Sequence, residues 1–228
     1  MNTLILDRAS YSAQGSGKQT LTELDVSFES GQLYVIAGRR NSGKKTVLSL
    51  LSGLAVTTSG AVYYNGENLK NMDRDQYRSR LVGIVSRGCN LLPNAKVIDN
   101  VLLSMCVSSG LCGRIRGVNR PNREKACALL KRAGVPEEKA RKRVETLSAE
   151  EIKRVDLACA LACDPDILLV NDPASRQDDT GTQSMMDILL TLAHEEDKCV
   201  IVTTPSRIAA DFADELWGLN AGRLTFIR

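Results

Sequence analysis

With 228 residues, 43% of them hydrophobic and 25% charged, the chain can bury a substantial core and is expected to fold as one or two subdomains rather than stay disordered. A net charge of +3 and an aromatic content of 4% argue against nucleic acid as a partner, whether held by bulk charge or by base stacking. No stretch approaches the roughly 18 apolar residues that span a bilayer, and the apolar run from Thr3 to Leu6 stops at Asp7 and Arg8, too soon for a signal peptide, so the expectation is a cytosolic protein that reaches any membrane through a partner.

Leu4-Ile5-Leu6 predicts a short strand, and Leu24 to Phe28 alternates apolar and polar, the pattern of a half-buried strand. Gly15-Ser16-Gly17 and Ser30-Gly31 mark turns. Leu33 to Ala37 is continuously apolar, as expected of a strand buried on both faces. A Gly-bearing loop follows at once, and then Val47, Leu48, Leu50, Leu51 and Leu54 recur at helical spacing, predicting a helix over 46–54. Ala61 to Tyr64 and Glu67 to Leu69 flank Asn65-Gly66, a hairpin turn pair, and Leu81 to Val85 reads as a further strand. Residues 97–145 turn helical, with breaks near Gly110 to Gly117, at Pro121 and at Gly134 to Pro136. Ser148 predicts the N-cap of a helix running to about Cys163, with Glu151 at the capping-box position and Asp164-Pro165 as the stop. Ile167 to Val170 is a buried strand, Gln183 to His194 a helix, and Cys199 to Thr203 the last core strand. Strands alternating with helices predict an α/β fold with a mainly parallel sheet, interrupted by an inserted α-helical subdomain.

Seven cysteines (Cys89, Cys106, Cys112, Cys127, Cys159, Cys163 and Cys199) make an odd count with no Cys-x-x-Cys. Cys159 and Cys163 lie one helical turn apart without a His or a second Cys pair, so reduced, mostly buried thiols are expected rather than a metal set.

The segment Gly38-Arg39-Arg40-Asn41-Ser42-Gly43-Lys44-Lys45-Thr46 follows a predicted buried strand and opens a predicted helix. It satisfies G-x-x-x-x-G-K, the core of a phosphate-binding loop. Glycines let successive backbone N–H groups turn inward around an anion, and the helix N-terminus adds partial positive charge. Lys44 would reach the outer phosphates, and Asn41 tolerates left-handed backbone better than most residues. The Ser or Thr that binds Mg²⁺ after the lysine is replaced by Lys45, and Thr46 points about 100° away round the helix. Arg39 and Arg40 read either as solvated surface or as compensation for a missing cation.

Further segments line up in order, and together they carry a resemblance. Tyr11 precedes the loop; Asn90-Leu91-Leu92-Pro93, Leu147-Ser148, Asp164-Pro165-Asp166 and Asp178 follow it. Over nearly its whole length the chain resembles the ATP-binding-cassette (ABC) transporter ATPases, most closely the branch of lipoprotein release and macrolide or antimicrobial-peptide export. The resemblance implies a single P-loop NTPase cassette over 1–228. Residues 1–93 and 164–228 would form the core with an N-terminal antiparallel β layer, and 94–163 the helical subdomain. It implies ATP as ligand, stacked on Tyr11 and held by Gly38 to Thr46. It also implies a second cassette and an integral membrane permease as partners, placing the chain on the inner face of the cell membrane. The permease groove would lie between core and insertion, near Arg87 to Asn100.

Carried over residue by residue, the family's working positions are mostly altered. The glutamine-loop position is Arg87. The signature Leu-Ser-Gly-Gly-Gln reads Leu147-Ser148-Ala149-Glu150-Glu151. The Mg²⁺-ordering aspartate position is Asn171, the catalytic glutamate position Asp172, and the switch-histidine position Thr204, followed by Pro205. Asp178 matches the aspartate loop, and the lone His194 matches nothing and reads as a surface helix residue. The expectation is a poorly active or inactive ATPase with a doubtful Mg²⁺ requirement, Lys45 placing an ammonium where the metal would sit. A working ATPase with unusual ligands and a non-transport scaffold on the same fold are the alternatives. In the paired cassettes of the family each signature faces the other's γ-phosphate. There Glu150 is expected to repel by about 4 kcal/mol at 4 Å and an effective dielectric near 20, unless it points to solvent.

Overall fold

The computed structural model describes residues 2–13, 19–86, 88, 90–108, 120–173 and 179–228. In chain order these form β1 (Thr3–Ser12), β2 (Gln19–Glu29), β3 (Leu33–Ala37), α1 (Lys44–Leu51), β4 (Ser59–Tyr64), β5 (Glu67–Asn68), α2 (Arg74–Arg80) and β6 (Val82–Val85). There follow α3 (Val97–Ser108), α4 (Arg120–Arg132), α5 (Ala149–Ala160), β7 (Ile167–Asn171), α6 (Asp179–His194), β8 (Cys199–Thr204), α7 (Arg207–Asp211), β9 (Glu215–Asn220) and β10 (Arg223–Phe226). Short 3-10 turns at Glu137–Lys139, Val144–Thr146 and Leu161–Cys163 complete the insertion. Among the described residues no helix is long and apolar enough to cross a membrane.

The strands sort into two sheets, an antiparallel one in the order β2-β1-β4-β5 and a larger one in the order β10-β9-β3-β8-β7-β6. From β9 to β6 the larger sheet is parallel, and β10 closes it as an antiparallel edge. Its apolar strands have two buried faces, and the period-two alternation of side chains divides each between two cores. Leu33, Val35, Leu168, Val170, Val200 and Val202 face the helical insertion and α6. Tyr34, Ile36, Ile167, Leu169, Cys199 and Ile201 face α1 and the antiparallel sheet. Burial pushes the Cys199 thiol up to about 12, which keeps it protonated and inert.

Several expectations hold. Asn65 (φ 49°) and Gly66 (φ 82°) turn β4 into β5 in the left-handed geometry of a tight hairpin. Ser148 caps α5 with both halves of a capping box to Glu151, and Asp164 leaves the final turn at φ 48° before Pro165.

Others are corrected. The helix expected over 46–54 is α1, Lys44–Leu51: Gly53 at φ 69° has left it, and Leu54 is 62% exposed. The strand expected at Leu4 to Leu6 continues to Ser12; its register shifts beyond Leu6 and Arg8 takes φ 43°, a bulge that breaks the alternation and hides the second half from a reading by pattern. Glu23 at φ 44° does the same in β2, hiding the half that precedes Leu24. Cys199–Thr204 is not the last core strand, since β9 pairs in parallel with β3. Most of β9 is only half-buried and Gly218 interrupts it, so its apolar signal is weak. α2 and α7 give no periodic sequence signal, since they are short and present one buried side chain each, Tyr77 and Ala209. The turn expected at Gly15 to Gly17 and the break at Gly110 to Gly117 lie outside the described residues.

Candidate functional site

The carboxyl ends of β3, β8 and β7 lie side by side, with Ala37 opposite Thr204 and Thr203 opposite Asn171. In a parallel sheet this end is where loops collect and ligands bind. The loop Gly38–Gly43 leaves β3 here and is tied at once to β8, the Gly38 N–H donating to the Thr204 carbonyl at 3.2 Å. Gly38 is pressed against β9: a Cβ on it would stand 2.6 Å from the Leu219 carbonyl oxygen. Asn41 takes φ 64° and Gly43 φ 107°, left-handed turns that bring the chain round onto α1. α1 starts without any side-chain cap and without an acidic residue in its first turn, so its N-terminal N–H groups and partial positive charge face the loop.

Lys44 folds back across the loop, its Nζ donating to the carbonyls of Gly38 at 2.5 Å and Arg39 at 2.7 Å. Ser42 Oγ is buried with no hydrogen-bond partner among the described residues. Arg39, Arg40, Asn41 and Lys45 are exposed, and Thr46 is half-buried. Tyr11, also half-buried, pairs with Leu21 of β2, and a Leu21 methyl lies 2.7 Å from where a Gly43 Cβ would be. The sheet thus brings Tyr11 within one strand of the loop.

Beside the loop stand the ends of β7 and β8. Asn171 Oδ1 accepts from Thr203 Oγ1, and Asp172 Oδ1 from Thr204 Oγ1, both at 3.5 Å, long for hydroxyl donors. Asp172 sits at φ 58° with its N–H donating to the Thr203 carbonyl at 2.8 Å. Thr204 is fully buried and its Oγ1 accepts from the Ser206 N–H at 3.0 Å. The fold therefore gathers Asn171, Asp172 and Thr204 at the mouth of the loop. Arg87 and Asp178 lie outside the described residues.

Leu147-Ser148-Ala149-Glu150-Glu151 forms the start of α5, with Leu147 buried and Ser148 and Ala149 exposed. The Glu151 carboxyl is held below its ordinary range by the Lys139 ammonium at 2.7 Å and by the Ser148 backbone N–H. Glu150 is partly exposed and paired within its own helix. Its Oε1 accepts from Arg154 Nε at 3.1 Å and Nη2 at 2.7 Å, so a cation on its own helix neutralises it. His194 is a partly exposed residue of α6, as read, hydrogen-bonded to Asp214 at 2.8 Å and away from the loop. Sequence reasoning missed Lys153 and Arg154. The signal was two adjacent cations within an otherwise apolar stretch, Ile152 to Val155, in the first turns of a capped helix.

The ABC transporter family profile matches residues 15–175. The chain belongs to the ABC transporter family. Its fold is that family's P-loop cassette, with an antiparallel sheet and a helical insertion. Among relatives, YclH of Bacillus subtilis (strain 168), an uncharacterized ABC transporter ATP-binding protein, is 30% identical over 99% of this chain and 96% of its own. The phosphonates import ATP-binding protein PhnC 2 of Halalkalibacterium halodurans is 30% identical over 92% of this chain and 87% of its own. The lipoprotein-releasing system ATP-binding protein LolD 2 of Rhodopirellula baltica is 30% identical over 95% and 86%. Among solved structures, the dimeric ATP-binding cassette MJ0796 bound to ADP and Pi superposes with TM-score 0.85 at 26% identity, covering 99% of both chains. The present cassette is thus an ABC transporter subunit of the ATP-binding type, matched along nearly all of its length.

Proposed function

We propose that this cassette binds ATP without Mg²⁺ and hydrolyses it slowly or not at all, serving an ABC exporter as a degenerate ATP-binding subunit. The observation that carries the reading is the set of groups at the loop mouth. Mg²⁺ takes hard oxygen ligands and a nearby anion. Here the position after Lys44 presents an exposed ammonium, Lys45, and the end of β7 presents an amide, Asn171. These residues do not fit the metal, and Lys45 with Lys44 supplies positive charge in its stead. Asp172 carries its carboxylate one methylene short of a glutamate, and Thr204 has no titrating ring. Misplacing a general base by about 1 Å costs on the order of a hundredfold, and loss of metal charge stabilisation adds several kcal/mol to the barrier. Restoring Lys45→Ser, Asn171→Asp, Asp172→Glu and Thr204→His together is expected to raise Mg²⁺-dependent phosphate release at least tenfold. Robust Mg²⁺-dependent turnover by the wild type would contradict the reading.

The proposed site comprises Tyr11, Gly38 to Thr46, Asp172, Thr204, Arg87 and Asp178, with the signature at Leu147 to Glu151. The proposed division puts 1–93 and 164–228 in the core and β layer, and 94–163 in the helical subdomain. The partners are a second cassette and a membrane permease, in keeping with the dimeric MJ0796 structures. The permease would enter the cavity of about 330 Å³ lined by Ile84, Asn90, Leu103 and Val107, which bounds the predicted groove. Export rests on Asn90 to Pro93 and on the LolD relative; import is the second reading, favoured by the PhnC relatives. Co-purification with the permease, followed by transport in vesicles of defined orientation, separates the two.

A further inference from the structure

Lys153 and Arg154 are neighbours on α5 that leave the helix in different directions, about 100° apart. Arg154 donates to the Gly134 carbonyl at 3.3 Å and to Ser184 Oγ on α6 at 2.9 Å, besides Glu150. It packs so closely on Gly134, at φ +72°, that a Cβ there would stand 2.2 Å from Nη1. Arg154 therefore fixes the rotation of α5 between the end of α4 and α6. Lys153 reaches the sheet instead, and its Nζ donates to the carbonyl of Asp172.

That carbonyl belongs to the peptide that leaves β7 at the mouth of the phosphate loop. Asp172 is a non-glycine residue at φ 58°, a conformation that persists where its surroundings over-determine it. Two holds come from β8: the Thr203 carbonyl accepts its N–H at 2.8 Å, and Thr204 Oγ1 approaches its Oδ1 at 3.5 Å. A third comes from Lys153, on the helical insertion. With N–H, carboxylate and carbonyl all engaged, the direction of the carboxylate depends on where α5 lies.

We propose that Lys153 is a positioning residue that sets the Asp172 carboxylate relative to the phosphate loop and so couples the pose of the helical insertion to nucleotide affinity. The proposal rests on the reading of Gly38 to Thr46 as a nucleotide site. In a site without metal, a carboxylate turned toward bound phosphates repels them, so its direction controls affinity.

The test is calorimetric titration with ATP, in EDTA and again with Mg²⁺, of the wild type, Lys153→Met, Lys153→Arg, Asp172→Asn and the Lys153→Met/Asp172→Asn double variant, each with a thermal melt. Lys153→Met is expected to weaken ATP at least fivefold, and Lys153→Arg to stay within twofold of wild type. In the Asp172→Asn background, where the carboxylate is gone, Lys153→Met is expected to change affinity less than twofold, a non-additivity that marks the pair as coupled. Wild-type affinity in Lys153→Met would overturn the proposal. So would an equal loss in both backgrounds, which marks a purely structural role. If Lys153→Met does not fold, Lys153→Gln carries the same two-background comparison. A wild type that binds no ATP in either buffer would overturn the nucleotide reading, and this proposal with it.

Discussion

Gly38 and Glu151 show how single side chains decide local outcomes. A methyl on Gly38 would meet the Leu219 carbonyl oxygen at 2.6 Å, and a backbone obstacle cannot rotate away. Gly38→Ala is therefore expected to displace the loop, weaken ATP binding at least tenfold and lower the melting temperature, as calorimetry and a thermal melt would read. Glu151 carries a pH signature. Its carboxyl ionises below the ordinary 4.5 because the Lys139 ammonium and the capped N–H of Ser148 favour the charged form. A depressed folded-state value stabilises the fold above the ordinary value, and that stability is lost as pH falls through the lower one. Glu151→Gln is therefore expected to melt earlier than wild type at pH 7, with the gap closing as the buffer is taken below pH ~4.5. The melting temperatures of the two proteins as a function of pH check this.

At the scale of elements, α5 is the best test of what sequence can tell. Its cap is written in Ser148 and Glu151, both halves form, and Ser148→Ala is expected to cost about 1 kcal/mol in denaturant unfolding. The buried strands β3, β7 and β8 were legible because two buried faces demand unbroken apolar runs. β1 and β2 were half-legible, since the bulges at Arg8 and Glu23 break the alternation on which a strand is recognised. β9 was not legible at all: its position beside β3 comes from long-range pairing, which no local pattern encodes. The candidate site divided the same way. Gly38 to Lys44 announce themselves by spacing. The approach of Thr204 to Asp172 and the reach of Lys153 across to β7 depend on how distant elements meet. The Glu150–Arg154 pair, by contrast, lies one helical turn apart and could have been found from sequence.

For the whole molecule, the ABC cassette fold surrounds a loop mouth where, on the proposed reading, the metal-binding and water-activating groups are exchanged. The two cores and both sheets keep the family's fold, and the proposed exchanges gather at Lys45, Asn171, Asp172 and Thr204. That pattern supports a subunit retained for binding and assembly rather than for turnover. The most direct test is to titrate the full chain with ATP by calorimetry, once with EDTA and once with excess Mg²⁺. The account expects saturable binding in EDTA, with the dissociation constant changed less than threefold by the metal. Binding that appears only with Mg²⁺ would contradict it.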